Sequence, residues 1–194
     1  MSKFVASLAV AGALVSGHAS AQPAKPTIVL VHGAFADSSS WNGVTKILQK
    51  DGYRVVAAAN PLRSVSTDAA YVTDIVASIE GQVVLVGHSY GGQVITTAAN
   101  GRDNVKSLVY VAAFAPDEGG AAADLAGKFP GGTLGQALAA PVKLADGNVD
   151  LSIDQEKFHE QFAHDVSLDD AALMAAGQRP ITEAALTEKS GKPA

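Results

Sequence analysis

The chain contains no cysteine. That excludes a thiol nucleophile, a thiolate metal site and any disulfide, so the fold is held by its core alone. Charge is sparse at 17% of residues, and the net charge of −5 leaves no basic footprint for nucleic acid or anionic lipid. One apolar run is long, from Phe4 to Gly17. It is shorter than the ~20 residues a membrane-spanning helix needs. Lys3 precedes it and the small-residue pattern Ala19-Ser20-Ala21 follows it, so residues 1–21 read as a secretory signal. The expectation is an exported chain, periplasmic or secreted, with no membrane attachment after cleavage.

The chain as a whole is 47% hydrophobic, rich in alanine and glycine, and sized for one domain. Thr27–Val31 is a short, continuous apolar run rich in β-branched residues, of the kind buried on both faces of a parallel sheet. Tyr53–Ala58, Val83–Val86 and Val105–Phe114 predict three more strands. Between them, Trp41, Val44, Ile47 and Leu48 fall at helical spacing after N-cap candidates at Asp37–Ser40. Val72, Ile75, Val76 and Ile79 mark a second helix, capped by Ser66 or Thr67, and Gly92–Asn100 a third. Strands alternating with helices predict a mostly parallel α/β sheet covered on both faces. After Pro116 the rhythm changes: helices are expected near 153–164 and 168–176, and no strand.

The chemistry concentrates at Gly87-His88-Ser89-Tyr90-Gly91, directly after the third strand and before the third helix. A serine flanked by glycines at a strand-to-helix turn stands exposed at the end of the sheet, with the next backbone N–H aimed at a reacting oxygen. That pattern points to acyl transfer with Ser89 as nucleophile. Coupled to His32-Gly33-Ala34-Phe35 after the first strand, it resembles the α/β-hydrolase superfamily, in particular its small serine esterases and hydroxynitrile lyases. The resemblance implies backbone N–H groups of Ala34 and Tyr90 as the oxyanion hole, with Phe35 a second candidate donor or a wall of the acyl pocket. His32 is expected at the end of its strand, bonded to the oxyanion loop, and is with Phe35 a candidate pocket residue. It also implies a core over 22–116, a helical cap over 117–178, a small carboxylic ester as substrate, and neither metal nor organic cofactor.

The resemblance also exposes a gap. In the family the acid and then the histidine follow the nucleophile late in the chain. Only His159 and His164 follow Ser89, and both fall in the expected cap. His88 is adjacent to the nucleophile and points away from it. Asp117 is either an orienting acid or a loop carboxylate. The sheet would be incomplete, with residues 179–194 the start of a missing C-terminal core and Val105–Phe114 an apolar edge strand. The expectation is a C-terminally truncated serine hydrolase, nearly inert as it stands. Two alternatives are a C–C lyase on the same scaffold and a non-catalytic fold whose cap and open edge bind a ligand.

Overall fold

The computed structural model describes residues 24–193, so the expected signal over 1–21 lies outside the described residues. Four strands, β1 (Thr27–Val31), β2 (Val55–Ala58), β3 (Val83–His88) and β4 (Val105–Val111), form a parallel sheet in the order β2-β1-β3-β4. Helix α1 (Asn42–Lys50) follows β1, α2 (Val65–Ala77) follows β2, and α3 (Tyr90–Ala98) follows β3. Every residue of β1 is buried, as a strand covered on both faces requires.

The two faces bury different cores. On one, Val29, Val31, Val83 and Leu85 pack with Val72 and Val76 of α2 and Val94 and Ile95 of α3. On the other, Ile28 and Leu30 meet Trp41, with Leu48, Val84 and Val86 around them. Trp41 closes a turn of 3₁₀ helix, Ser38–Trp41, that Asp37 caps by accepting from the Ser39 N–H at 2.7 Å. The cap of α2 is Ser64, which accepts from the Thr67 N–H, rather than Ser66 or Thr67. The chain enters this helix two residues earlier than its apolar spacing indicates.

The second face is only half covered. Val109 pairs in register with Val86 and Val111 with His88, which puts both valines on the side of α1. Each is 42% exposed, and Ile47 of α1 is 62% exposed. The expected edge strand is therefore present and uncovered among the described residues, although it ends at Val111 rather than Phe114.

Beyond Pro116, the helices α5 (Gln155–Phe162) and α6 (Leu168–Gly177) stand where periodicity places them. Helices α4 (Ala122–Lys128) and α7 (Glu183–Thr187) were not expected. The expectation of no strand here is corrected by a small antiparallel sheet of β5 (Val142–Lys143), β6 (Val149–Leu151) and β7 (Ile181–Thr182). Strands of two or three residues are too short to show alternation. Because β7 pairs with β6, this unit runs past the expected boundary at 178. Its ends close on each other: the Gly119 N–H donates to the Ser190 carbonyl at 2.8 Å and the Ser190 N–H to Gly120 at 2.7 Å.

Candidate active site

Ser89 sits between β3 and α3 at φ 50°, ψ −125°, a backbone conformation that costs a non-glycine residue about 1–3 kcal/mol. It is the N-cap residue of α3, yet its side chain makes no capping hydrogen bond, so among the described residues the hydroxyl is uncommitted. Backbone bonds hold the turn: the Ser89 carbonyl accepts from the Gly92 and Phe114 N–H groups, each at 3.0 Å. Tyr90 is the first residue of α3, where the N–H groups have no partner within the helix.

Close approach explains the glycines. A β-carbon on Gly87 would lie 2.5 Å from the Gly91 carbonyl oxygen, so the strand enters the turn against the backbone leaving it. A β-carbon on Gly33 would lie 2.7 Å from Ser89 Cβ and 2.9 Å from the His88 carbonyl oxygen. The turn after β1 and the turn after β3 thus touch directly. Ala34 is buried beside that contact. Phe35, at φ 61°, is buried edge-on against Phe162 of the cap at 6.1 Å, and Phe162 packs on Phe158 at 4.9 Å.

Each histidine has its own occupation. His32 is fully buried and Nδ1 donates to the Gly33 carbonyl at 2.9 Å. Its own carbonyl accepts from Asn60 Nδ2 at 3.0 Å. Burial lowers the pKa of His32, with nearby Arg179 acting in the same direction, which favours the neutral ring. Burial also lowers that of His88, whose ring lies edge-on to Trp41 at 6.3 Å, on the sheet face away from α3. His159 Nε2 donates to the Val166 carbonyl at 3.1 Å, and its ring lies 5.7 Å from that of His164, both within the cap. Among the described residues no histidine hydrogen-bonds Ser89. Asp117 is exposed, and its carbonyl accepts from the Gly120 N–H at 2.9 Å in a tight turn.

A cavity of about 650 Å³ opens between the 3₁₀ turn and the cap. Phe35, Phe158, Val166, Leu173 and Met174 supply its apolar wall, and Asp37, Ser39 and Asn42 its polar side. Neither Ser89 nor His32, an expected pocket residue, lines it; the His32 ring is buried in the core. Phe35 does line it, and it directly follows Ala34 in the turn that touches Ser89.

Two buried polar residues escaped the sequence reading. Tyr90 donates its hydroxyl to Asp68 Oδ2 at 2.9 Å, with both residues fully buried. Burial raises the pKa of Asp68, and burial together with the neighbouring Asp68 carboxylate raises that of the phenol, which stays protonated. Gln93 of α3, also buried, holds both ends of the inserted unit. It accepts from the Ala122 N–H at 3.1 Å and donates to the Glu188 carbonyl at 3.1 Å and Ser190 Oγ at 2.9 Å. A signal for Asp68 does exist: it lies on the stripe Val65, Ala69, Val72, Val76, where every other member is apolar.

A parallel sheet, a strained serine at a strand-to-helix turn and a cap built after the fourth strand define a protein class that carries its chemistry at the carboxyl end of the sheet. Residues 28–191 match the model of the Alpha/beta hydrolase family, and the chain belongs to that family. It is 36% identical to the carbendazim hydrolyzing esterase of Nocardioides sp. (strain SG-4G), across 47% of this chain and 43% of that protein. It is 32% identical to Methylesterase 8 of Arabidopsis thaliana, across 59% of this chain and 46% of that protein. The chain therefore spans less than half the length of these curated relatives. Among solved structures, an extracellular alpha/beta-hydrolase from a Paenibacillus species superposes with a TM-score of 0.69 at 27% identity, covering 86% of this chain and 71% of that one. Polyneuridine aldehyde esterase shares the fold, with a TM-score of 0.71 at 18% identity, covering 87% and 75%. No helix among the described residues is long and apolar enough to cross a membrane.

Proposed function

We propose that this chain carries the nucleophile and oxyanion half of a serine hydrolase for small carboxylic esters. Ser89 Oγ attacks the ester carbonyl, the alkoxide that forms takes hydrogen bonds from the N–H groups of Ala34 and Tyr90, and loss of the alcohol leaves an acyl-enzyme on Ser89. Water then releases the acid. The observation that carries this reading is the strained Ser89 backbone with an uncommitted hydroxyl, in contact with the turn that holds Ala34. The esterase names of the curated relatives agree with it. The signal-like residues 1–21 add export to the reading, and the extracellular Paenibacillus neighbour is consistent with that.

The catalytic base sets the rate. No described histidine reaches Ser89, and loss of the base in a comparable triad costs about 10⁶ in kcat, with about 10³–10⁴ over water surviving from the oxyanion hole and binding. The 194 residues alone are therefore expected to acylate slowly and turn over little. The test is intact-mass detection of a covalent adduct after long incubation with a fluorophosphonate and with short p-nitrophenyl esters. An adduct mapped to Ser89 and abolished in Ser89→Ala supports the reading. Equal labelling of Ser89→Ala, or none of the wild type, overturns it. Cleavage of a hydroxynitrile without ester acylation would move the chain to the lyase alternative.

A further inference from the structure

The elbow must be held in a costly backbone conformation while its own hydroxyl stays free. Ser89 cannot brace itself, and Gly91 and Gly92 have no side chains. The anchored side chain is that of Tyr90, which runs into the core and ends on Asp68 at 2.9 Å. Asp68 is fully buried on α2, and its other oxygen accepts from the Arg63 N–H at 3.1 Å. Among the described residues no cation forms an ion pair with it. The nearby Arg63 guanidinium is bonded instead to Asp150, at 2.7 Å, and to the carbonyls of Pro61 and Pro180. A buried carboxylate without an ion partner is expensive, and an apolar pair of similar volume would join α2 to α3 at lower cost. What the carboxylate adds is direction, because an O–H to carboxylate bond is short, strong and fixes where the phenol ends.

We propose that Asp68 is a positioning residue for the oxyanion hole, acting through Tyr90. Its bond to the phenol sets the depth and rotation of the first residue of α3, and so aims the Tyr90 amide. The segment that presents Asp68 is itself fixed from the inserted unit: Thr182 donates its N–H to the Leu62 carbonyl at 3.1 Å and its hydroxyl to the Arg63 carbonyl at 2.6 Å. Leu62, at φ 62° and fully buried, is held by that contact. The proposal rests on Ser89 being the nucleophile.

The test compares Tyr90→Phe, which loses only the hydroxyl, with Asp68→Asn and the double variant. Acylation of Ser89 by p-nitrophenyl acetate is followed by intact mass across ester concentration. Each single variant is expected to lower the saturating acylation rate about tenfold, a fraction of the ~10² that a 1 Å misplacement costs, with the half-saturating concentration unchanged. The double variant should fall no further than the worse single one, since both break one link. A saturating rate equal to wild type, or losses that multiply, would overturn the proposal. Hydrogen exchange at the amides of Ser89 and Gly92, which donate to the Val111 and Ser89 carbonyls, measured against those of β3, is a readout that needs no turnover. Faster exchange confined to these two amides in Tyr90→Phe supports positioning, and exchange that rises equally in β3 marks a merely structural bond and overturns it. If the wild type itself fails to acylate, the hydrolase reading fails, and the exchange data still decide the role of Asp68.

Discussion

Replacing Gly33 by alanine puts one methyl carbon where the two turns of the site meet. The added carbon would stand 2.7 Å from Ser89 Cβ, 2.9 Å from the His88 carbonyl oxygen and 3.3 Å from His88 Nδ1. Carbon atoms rest about 3.5–4.0 Å apart, so the turns must separate by about 1 Å. No flexible side-chain tip can yield in their place: two of the three neighbours are backbone or Cβ of the elbow itself. Overpacking of this kind costs about 1–3 kcal/mol, visible as a lower denaturant midpoint. The chemical cost is separate. Ala34 and Tyr90 lie on opposite sides of the contact, and a donor misplaced by about 1 Å forfeits ~10² in rate, equivalent to about 2.7 kcal/mol. Adduct formation at Ser89 in Gly33→Ala should therefore fall by two orders of magnitude, a larger loss than its stability explains. Gly127→Ala is the control. A β-carbon there meets nothing within 4 Å, and α4 should gain up to ~1 kcal/mol with labelling unchanged. A Gly33→Ala protein that labels as fast as wild type would refute both the contact and the roles assigned to the two turns.

Asp37→Ala should cost about 1 kcal/mol at neutral pH by removing the cap before Trp41. The Ser39 hydrogen bonds hold the Asp37 carboxyl below its usual value of 3.8, so this stabilisation is present above that value and is lost as pH falls through the lower folded-state value; urea titrations of both proteins should converge in acid. His32 and His88 are both lowered by burial from 6.5, so the unfolded chain binds protons first as pH falls below that value, and stability should decline there; a urea midpoint flat from pH 7 to pH 5 would refute the burial of these rings. Val109→Lys and Val111→Lys, at exposed positions on the open side of β4, should change stability by about 0.5 kcal/mol or less while suppressing self-association in sedimentation velocity.

The central sheet was readable because its signals are local and strong. β1 is a short run rich in β-branched residues, and its predicted limits are those of the folded strand. Glycines at 52, 81 and 101 have positive φ and stop the elements that precede them. The inserted unit was readable only in its helices. Its sheet rests on Val142–Lys143, Val149–Leu151 and Ile181–Thr182, where pairing between distant residues decides the structure and no segment is long enough to show a period. The end of β4 was misread for a related reason. Leu108–Phe114 runs on without a charged or turn residue, but Ala112 takes φ 42° and Phe114 turns its N–H to the Ser89 carbonyl, so the last three residues serve the elbow rather than the sheet.

The site divides along the same line. Ser89 and its flanking glycines were legible because a tight turn imposes its demands on neighbouring positions. His32 and His88 could be set aside as bases from their places at strand ends. The brace beneath the turn links residues 22 apart, and Gln93 reaches residues 95 and 97 positions away. Such links leave one trace in a linear sequence, a polar residue where the apolar stripe of a helix requires an apolar one. Asp68 on α2 is that trace, and its spacing says only that something polar must meet it. Which residue does so depends on α2 lying against α3, and α3 begins at the turn that holds Ser89. The order β2-β1-β3-β4 puts the helices that follow β2 and β3 on one face, and this topology turns an isolated buried carboxylate into a support for the amide next to Ser89.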